Sequence, residues 1–166
     1  MKAAPLVLLM MGSDTDLPIM QEAADILRIF DIPYEMRISS AHRSPVRTMT
    51  LASEAADRGI KIIIAGAGMA AHLAGVVASK TILPVIGVPM PGGALNGVDA
   101  LYATVQMPAG IPVASMAIGK AGAKNAGLFA VQILALSEPH LAESLLSYRV
   151  EMDKELEQKD ADLQLR

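Results

Sequence analysis

The chain has no cysteine and no tryptophan. Without cysteine there is no disulfide framework and no thiolate metal ligand, a composition that suits a reducing compartment and leads us to expect a cytoplasmic protein. Aromatic residues make up only 3% of the sequence, so the core has to be packed from Ala, Gly, Val, Ile, Leu and Met. There is no long run of Lys or Arg, and the formal net charge is −3. That removes the electrostatic footprint of a DNA- or RNA-binding protein. No apolar stretch is long and uninterrupted enough to span a membrane: the nearest, residues 60–78, contains Lys61, His72 and several glycines. The three histidines lack metal-ligand spacing, so no metal site is expected. The glycines match neither the Walker pattern nor the dinucleotide fingerprint, and no Ser-His-Asp order or carrier-lysine context occurs.

What is present is apolar mass. Of 166 residues, 52% are hydrophobic, with a mean hydropathy of +0.41. This is enough for one well-buried domain over residues 1–166, with a core at about 5–136 and a helical extension at about 139–166. It is also more apolar surface than one small domain hides easily, which points to a homo-oligomer.

Residues 5–11 form a continuous apolar run that leads straight into Gly12-Ser13-Asp14 with no small-residue cleavage pattern. They read as a first, doubly covered strand and not as a secretion signal. Helical spacing follows over 17–30, with Asp16 at the N-cap position, Pro18 in the first turn and Asp31-Ile32-Pro33 as the stop. Further strands are expected at 34–38, 60–65, 84–88 and 112–118, with helices at 44–58, after the loop 66–75, at 97–106 and at 123–136. Five strand-helix units in succession predict an α/β fold: a three-layer α/β/α sandwich on a parallel, flavodoxin-like or Rossmann-like sheet, plus the C-terminal helix. That last helix should be amphipathic in its first half and frayed at its end.

In such a sheet, ligands bind beyond the carboxyl ends of the strands. The first loop there, residues 12–16, offers Ser13, Thr15 and backbone amides at a helix start, where an anion is favoured. Asp16 suits ribose hydroxyls, and equally suits a plain N-cap. The second loop is more specific. In Ser39-Ser40-Ala41-His42-Arg43-Ser44-Pro45, a guanidinium able to hold a phosphate stands beside an imidazole able to move a proton. His72, among Ala70, Ala71 and Leu73, is expected to be a hydrogen-bonded structural histidine, and His140 a surface residue.

The blocks Met11-Gly12-Ser13-Asp14-Thr15-Asp16, Ser40-Ala41-His42-Arg43-Ser44-Pro45, 65–75, Leu83-Pro84-Val85-Ile86-Gly87-Val88-Pro89, Val105-Gln106-Met107-Pro108 and Ile118-Gly119-Lys120-Ala121-Gly122 occur in order. Together they resemble the class I N5-carboxyaminoimidazole ribonucleotide mutase family of purine biosynthesis. The resemblance implies a usually octameric isomerase that moves a carboxylate from the exocyclic nitrogen to carbon 4 of the imidazole, without ATP, metal or biotin. It implies His42 as general acid/base, and Ser13, Asp16, Ser40 and Arg43 as phosphate and ribose contacts. Gly68, Ala70, Ala71 and Leu73 would surround the migrating carboxylate. The resembled loop usually reads Gly-Gly-Ala-Ala-His-Leu-Pro-Gly, whereas this chain has Met69 for the second glycine and Ala74 for the proline. Methionine adopts positive φ less readily than glycine, so the loop's path at Met69 is left for the structure to decide. Two other readings are a related carboxylase that takes free CO2, whose relatives tend to carry lysine where Arg43 stands, and a nucleotide-binding, flavodoxin-like module without catalysis.

Overall fold

The computed structural model describes residues 4–165. Residues 1–3 and 166 of the expected single domain lie outside them. The chain divides into two compact units, one running to Ala130 and one from Val131 onward.

The first unit is built on a five-stranded parallel sheet: β1 (Val7–Met11), β2 (Tyr34–Ile38), β3 (Ile62–Ala67), β4 (Val85–Pro89) and β5 (Ala114–Ser115), in the order β2-β1-β3-β4-β5. β1 is apolar along its length because helices cover both of its faces. Leu8, Met10, Ile63, Ala65 and Val85 form one buried cluster with Ala52, Leu73, Ala74 and Val77. Alternation sends Leu9, Ile62 and Ile64 to the other face, where they are equally buried. β2 is an edge strand, and its Glu35 accepts a hydrogen bond from Arg37 and is ion-paired with Arg58, which gives the open edge a charged face.

Between the strands run α1 (Leu17–Ile29), α2 (Pro45–Ser53), α3 (Leu73–Ala78) and α4 (Val98–Val105), and α5 (Lys120–Ala135) follows β5. α1 buries Met20, Ala23, Ala24 and Leu27, one stripe at helical spacing. It stops as its sequence implies: Asp31 takes φ 53° and Ile32 N–H closes back on the Leu27 carbonyl at 2.8 Å.

Several boundaries differ from the sequence reading by a residue or two, and others by more. α2 ends at Ser53, and residues 54–59 continue only as turns. β5 pairs over two residues only, Ala114 and Ser115, the rest of the expected run lying outside the ladder. α5 begins at Lys120, so Gly122 lies in its first turn instead of breaking it. Gly122 is there for close approach, because a β-carbon would overlap the Ala117 carbonyl.

In the second unit, α6 (Pro139–Gln164) is helical to Gln164, so the expected frayed end is absent. Leu141 is its one buried residue. Among the described residues, no helix is long and apolar enough to cross a membrane.

Candidate active site

The strand order reverses direction between β1 and β3, and a crevice opens at that switch point beyond the carboxyl ends of the strands. A cleft of about 570 Å³ fills it, within the usual range for a small-molecule site. Its walls come from four loops, one after each of β1, β2, β3 and β4. Backbone bonds prolong the sheet into these loops: Ser39 N–H to the Met11 carbonyl at 2.8 Å, Gly12 to Gly66 at 3.2 Å and Met90 to Ala67 at 2.8 Å. At Gly66 a β-carbon would collide with Met90 and Met20, so glycine lets two flexible thioethers pack close together there.

The β2 loop is pinned from behind. Ser39 and Thr48, 2% and 0% exposed, share a hydroxyl–hydroxyl bond of 2.8 Å that ties the end of β2 to α2. Ser40 closes the turn, its Oγ accepting from Arg43 N–H at 3.1 Å and its carbonyl from Ser44 Oγ at 3.1 Å. Arg43 then reaches across and donates through Nη2 to the Gly12 carbonyl at 3.0 Å, joining the β1 and β2 loops. This takes one of a guanidinium's five donors.

In the β1 loop, Ser13 Oγ donates to Asp14 at 3.1 Å and accepts from Thr15 N–H at 3.4 Å and from Thr15 Oγ1 at 3.0 Å. Asp16 occupies the N-cap position but its side chain caps nothing, so a capping role does not explain this residue. Partial burial raises its pKa above the ordinary aspartate value, and the Asp14 charge adds to this. The Ser13 backbone and the Arg43 charge oppose it without cancelling it.

The structure brings Ser13, Asp16, Ser40, His42, Arg43, Gly68, Ala70 and Leu73 to one cleft. It leaves out Ala71, which is 1% exposed and whose N–H donates to the Met69 carbonyl at 2.8 Å. His72 corrects the sequence reading: it is an exposed residue of the cleft wall, not a structural histidine. Its Nδ1 lies 2.8 Å from His42 Nε2, with the rings nearly perpendicular at 75°. One ring donates and the other accepts, and two protonated nitrogens could not make this bond. His140 is exposed, beside Glu138, as expected. Met69 adopts φ 55°, so the loop keeps a left-handed turn despite losing glycine.

The remaining wall, Met90, Pro91, Gly92 and Gly93, was not assigned to the site from sequence. Its signal was the Pro- and Gly-rich loop following a buried strand on the same sheet edge. One side of the cleft can therefore hold an anion and a sugar, the other is apolar, and two imidazoles stand between them.

Known proteins resemble this chain over most of its length. The chain is 55% identical to the N5-carboxyaminoimidazole ribonucleotide mutase of Pyrococcus horikoshii over 155 residues, covering 93% of this chain and 86% of that protein. It is 52% identical to the protein of the same name from Thermotoga maritima, covering 93% and 90%. A crystal structure of Treponema denticola PurE superposes with a TM-score of 0.84 at 32% identity, covering 96% of this chain and 98% of that one. The family model described as AIR carboxylase matches residues 6–155, and the chain belongs to that family.

Proposed function

We propose that this protein converts N5-carboxyaminoimidazole ribonucleotide to the 4-carboxylated aminoimidazole ribonucleotide, with His42 as the proton carrier. The observation that carries this reading is the position of His42, between an anion-binding loop pair and an apolar wall, in a chain whose relatives bear the mutase name.

The site divides the work. Arg43, Ser13 and Ser40 hold the phosphate, and Asp16 accepts from the ribose hydroxyls. With these fixed, the imidazole ring need not move between steps. In the first step the bond between the exocyclic nitrogen and the carboxylate carbon breaks. The electron pair stays on nitrogen, which takes a proton from the His42 imidazolium, and CO2 is freed. In the second step carbon 4 attacks the CO2 carbon and passes its proton to His42, restoring the imidazolium. Atoms and electrons balance with no cofactor. Gly68, Ala70 and Leu73 surround the CO2; Ala71 supports them from behind the wall.

The reading carries with it a cytoplasmic homo-octamer. Support for self-association comes from large apolar side chains left open, Ile82 and Val46 among them, and the mass in solution tests it.

The deciding assay offers purified protein the carboxyamino substrate in one vessel and aminoimidazole ribonucleotide with bicarbonate in another. Conversion of the first without added bicarbonate is expected. Conversion of the second alone would instead make the protein a carboxylase using free CO2. A binding module would convert neither.

A further inference from the structure

We propose that Met69 is a gate that keeps CO2 in the cleft between the two half-reactions, closing against the loop that carries Pro91, Gly92 and Gly93. The proposal deepens the mutase reading above and rests on it.

CO2 is small, neutral and apolar, so the guanidinium and hydroxyls that hold the ribonucleotide give it little grip. Only an apolar wall and a closed exit retain it. Met69 stands at the rim, where the cleft opens to solvent. It lines the cleft yet is 63% exposed, so it is a rim residue and not part of the core. Its φ of 55° is a conformation that an L side chain adopts only at an energetic cost. Glycine would meet that backbone without strain. Neither core packing nor backbone comfort therefore accounts for a methionine here, and its side chain needs another use.

The neighbouring loop supplies one. Met69 Cγ lies 3.5 Å from where a β-carbon on Gly93 would stand, and Met90 Cβ lies 3.3 Å from the same point on Gly68. The β3 and β4 loops thus meet edge to edge, with the Met69 thioether at the seam. An unbranched thioether with three rotatable bonds can swing aside to admit a ribonucleotide and return. The backbone below it is tight: Ala71 N–H donates to the Met69 carbonyl at 2.8 Å, and His72 N–H to the Ala70 carbonyl at 2.8 Å. The gate is therefore tied to the segment that presents His72 to His42.

The test follows the fate of CO2 within each turnover. The carboxyamino substrate is converted in buffer containing 13C-bicarbonate and carbonic anhydrase. The readouts are 13C in the product and free aminoimidazole ribonucleotide, each per 4-carboxylate formed. A parallel vessel without protein corrects both readouts for spontaneous exchange of the labile carbamate, and variants are compared at equal rates of 4-carboxylate formation, so that a difference in the folded fraction does not mimic a leak. Met69→Ala and Met69→Gly should raise both about fourfold or more, fourfold being the factor expected from losing roughly one methylene's worth of apolar contact. Met69→Leu, which keeps apolar bulk at the rim, should stay near the parent value. Parent-like ratios in the Ala and Gly variants, or equal leakage in the Ala and Leu variants, would overturn the gate. If the parent protein makes no 4-carboxylate from the carboxyamino substrate, the mutase reading itself fails and the gate with it.

Discussion

The loops after β1 and β2 face the loops after β3 and β4 across one cleft, and the two pairs hold their shape by different means. Ser13, Ser40, Ser44 and Arg43 are cross-braced by side-chain hydrogen bonds, and the Arg43–Gly12 link locks the two polar loops together. Across from them, Gly68, Met69, Ala70 and Pro91 to Gly93 offer almost no side-chain donors, and positive φ at Met69, Gly92 and Gly93 sets their path. A braced polar rim suits a charged group that must stay still. A pliant apolar rim suits a neutral guest that must be enclosed and then released. His42 and His72 stand at the boundary, one from each side.

The largest effect should come from the boundary itself. His42→Asn removes the proposed proton carrier while leaving a polar side chain in the polar loop. Turnover should fall about 10²- to 10⁴-fold, with the dissociation constant for substrate little changed. Steady-state kinetics together with calorimetric binding checks this, and undiminished turnover would leave a binding cleft with no chemistry at His42.

The polar half was far more legible in the sequence than the apolar half. Ser40, His42 and Arg43 fall within four consecutive residues, and their types carry their chemistry in one reading. His72 gave no such cue: set among alanines it looks like a core residue, and only the turn from Met69 to His72 shows that it faces His42. Met90 and Gly93 reach the cleft because β4 lies beside β3, a long-range pairing that no local pattern encodes. The sheet itself was legible because its central strands are unbroken apolar runs. β5 was overread because an apolar run at a sheet edge need not pair along its length.

Next in size is the polar brace. Arg43→Met keeps the aliphatic stem and removes the charge and donors. Loss of a charge-assisted contact of about 1.5–3 kcal/mol should raise KM roughly 10- to 100-fold and reduce kcat much less. A change confined to kcat would move Arg43 out of the anchoring half. His72→Ala should have a smaller effect, about fivefold on kcat, because it deletes one neutral hydrogen bond to His42 and leaves the anchor alone. If KM moved in its place, His72 would belong with substrate anchoring and the division at the imidazole pair would need redrawing.

The smallest effect concerns the one polar-loop carboxylate that burial disfavours. Because the pKa of Asp16 is raised in the folded protein, mainly by desolvation, the folded state holds that proton more tightly than the unfolded chain does. Its contribution to stability is therefore fully present below the ordinary aspartate pKa and is lost as pH rises through the raised value. At neutral pH the ionised group is a mild liability, one that the proposed function explains by a ribose contact. Asp16→Asn should accordingly raise the Tm of the ligand-free protein slightly at pH 7, and this advantage should shrink as pH falls through the carboxylate range. The same variant should bind substrate more weakly, since a neutral amide is a poorer acceptor than a carboxylate. Thermal scans from pH 7 down to about pH 4, the ordinary carboxylate region, carried out with and without substrate, separate the two contributions. An advantage that grew on acidification would mean that Asp16 is stabilised as the anion in the empty cleft, and would place it among the braces of the polar half.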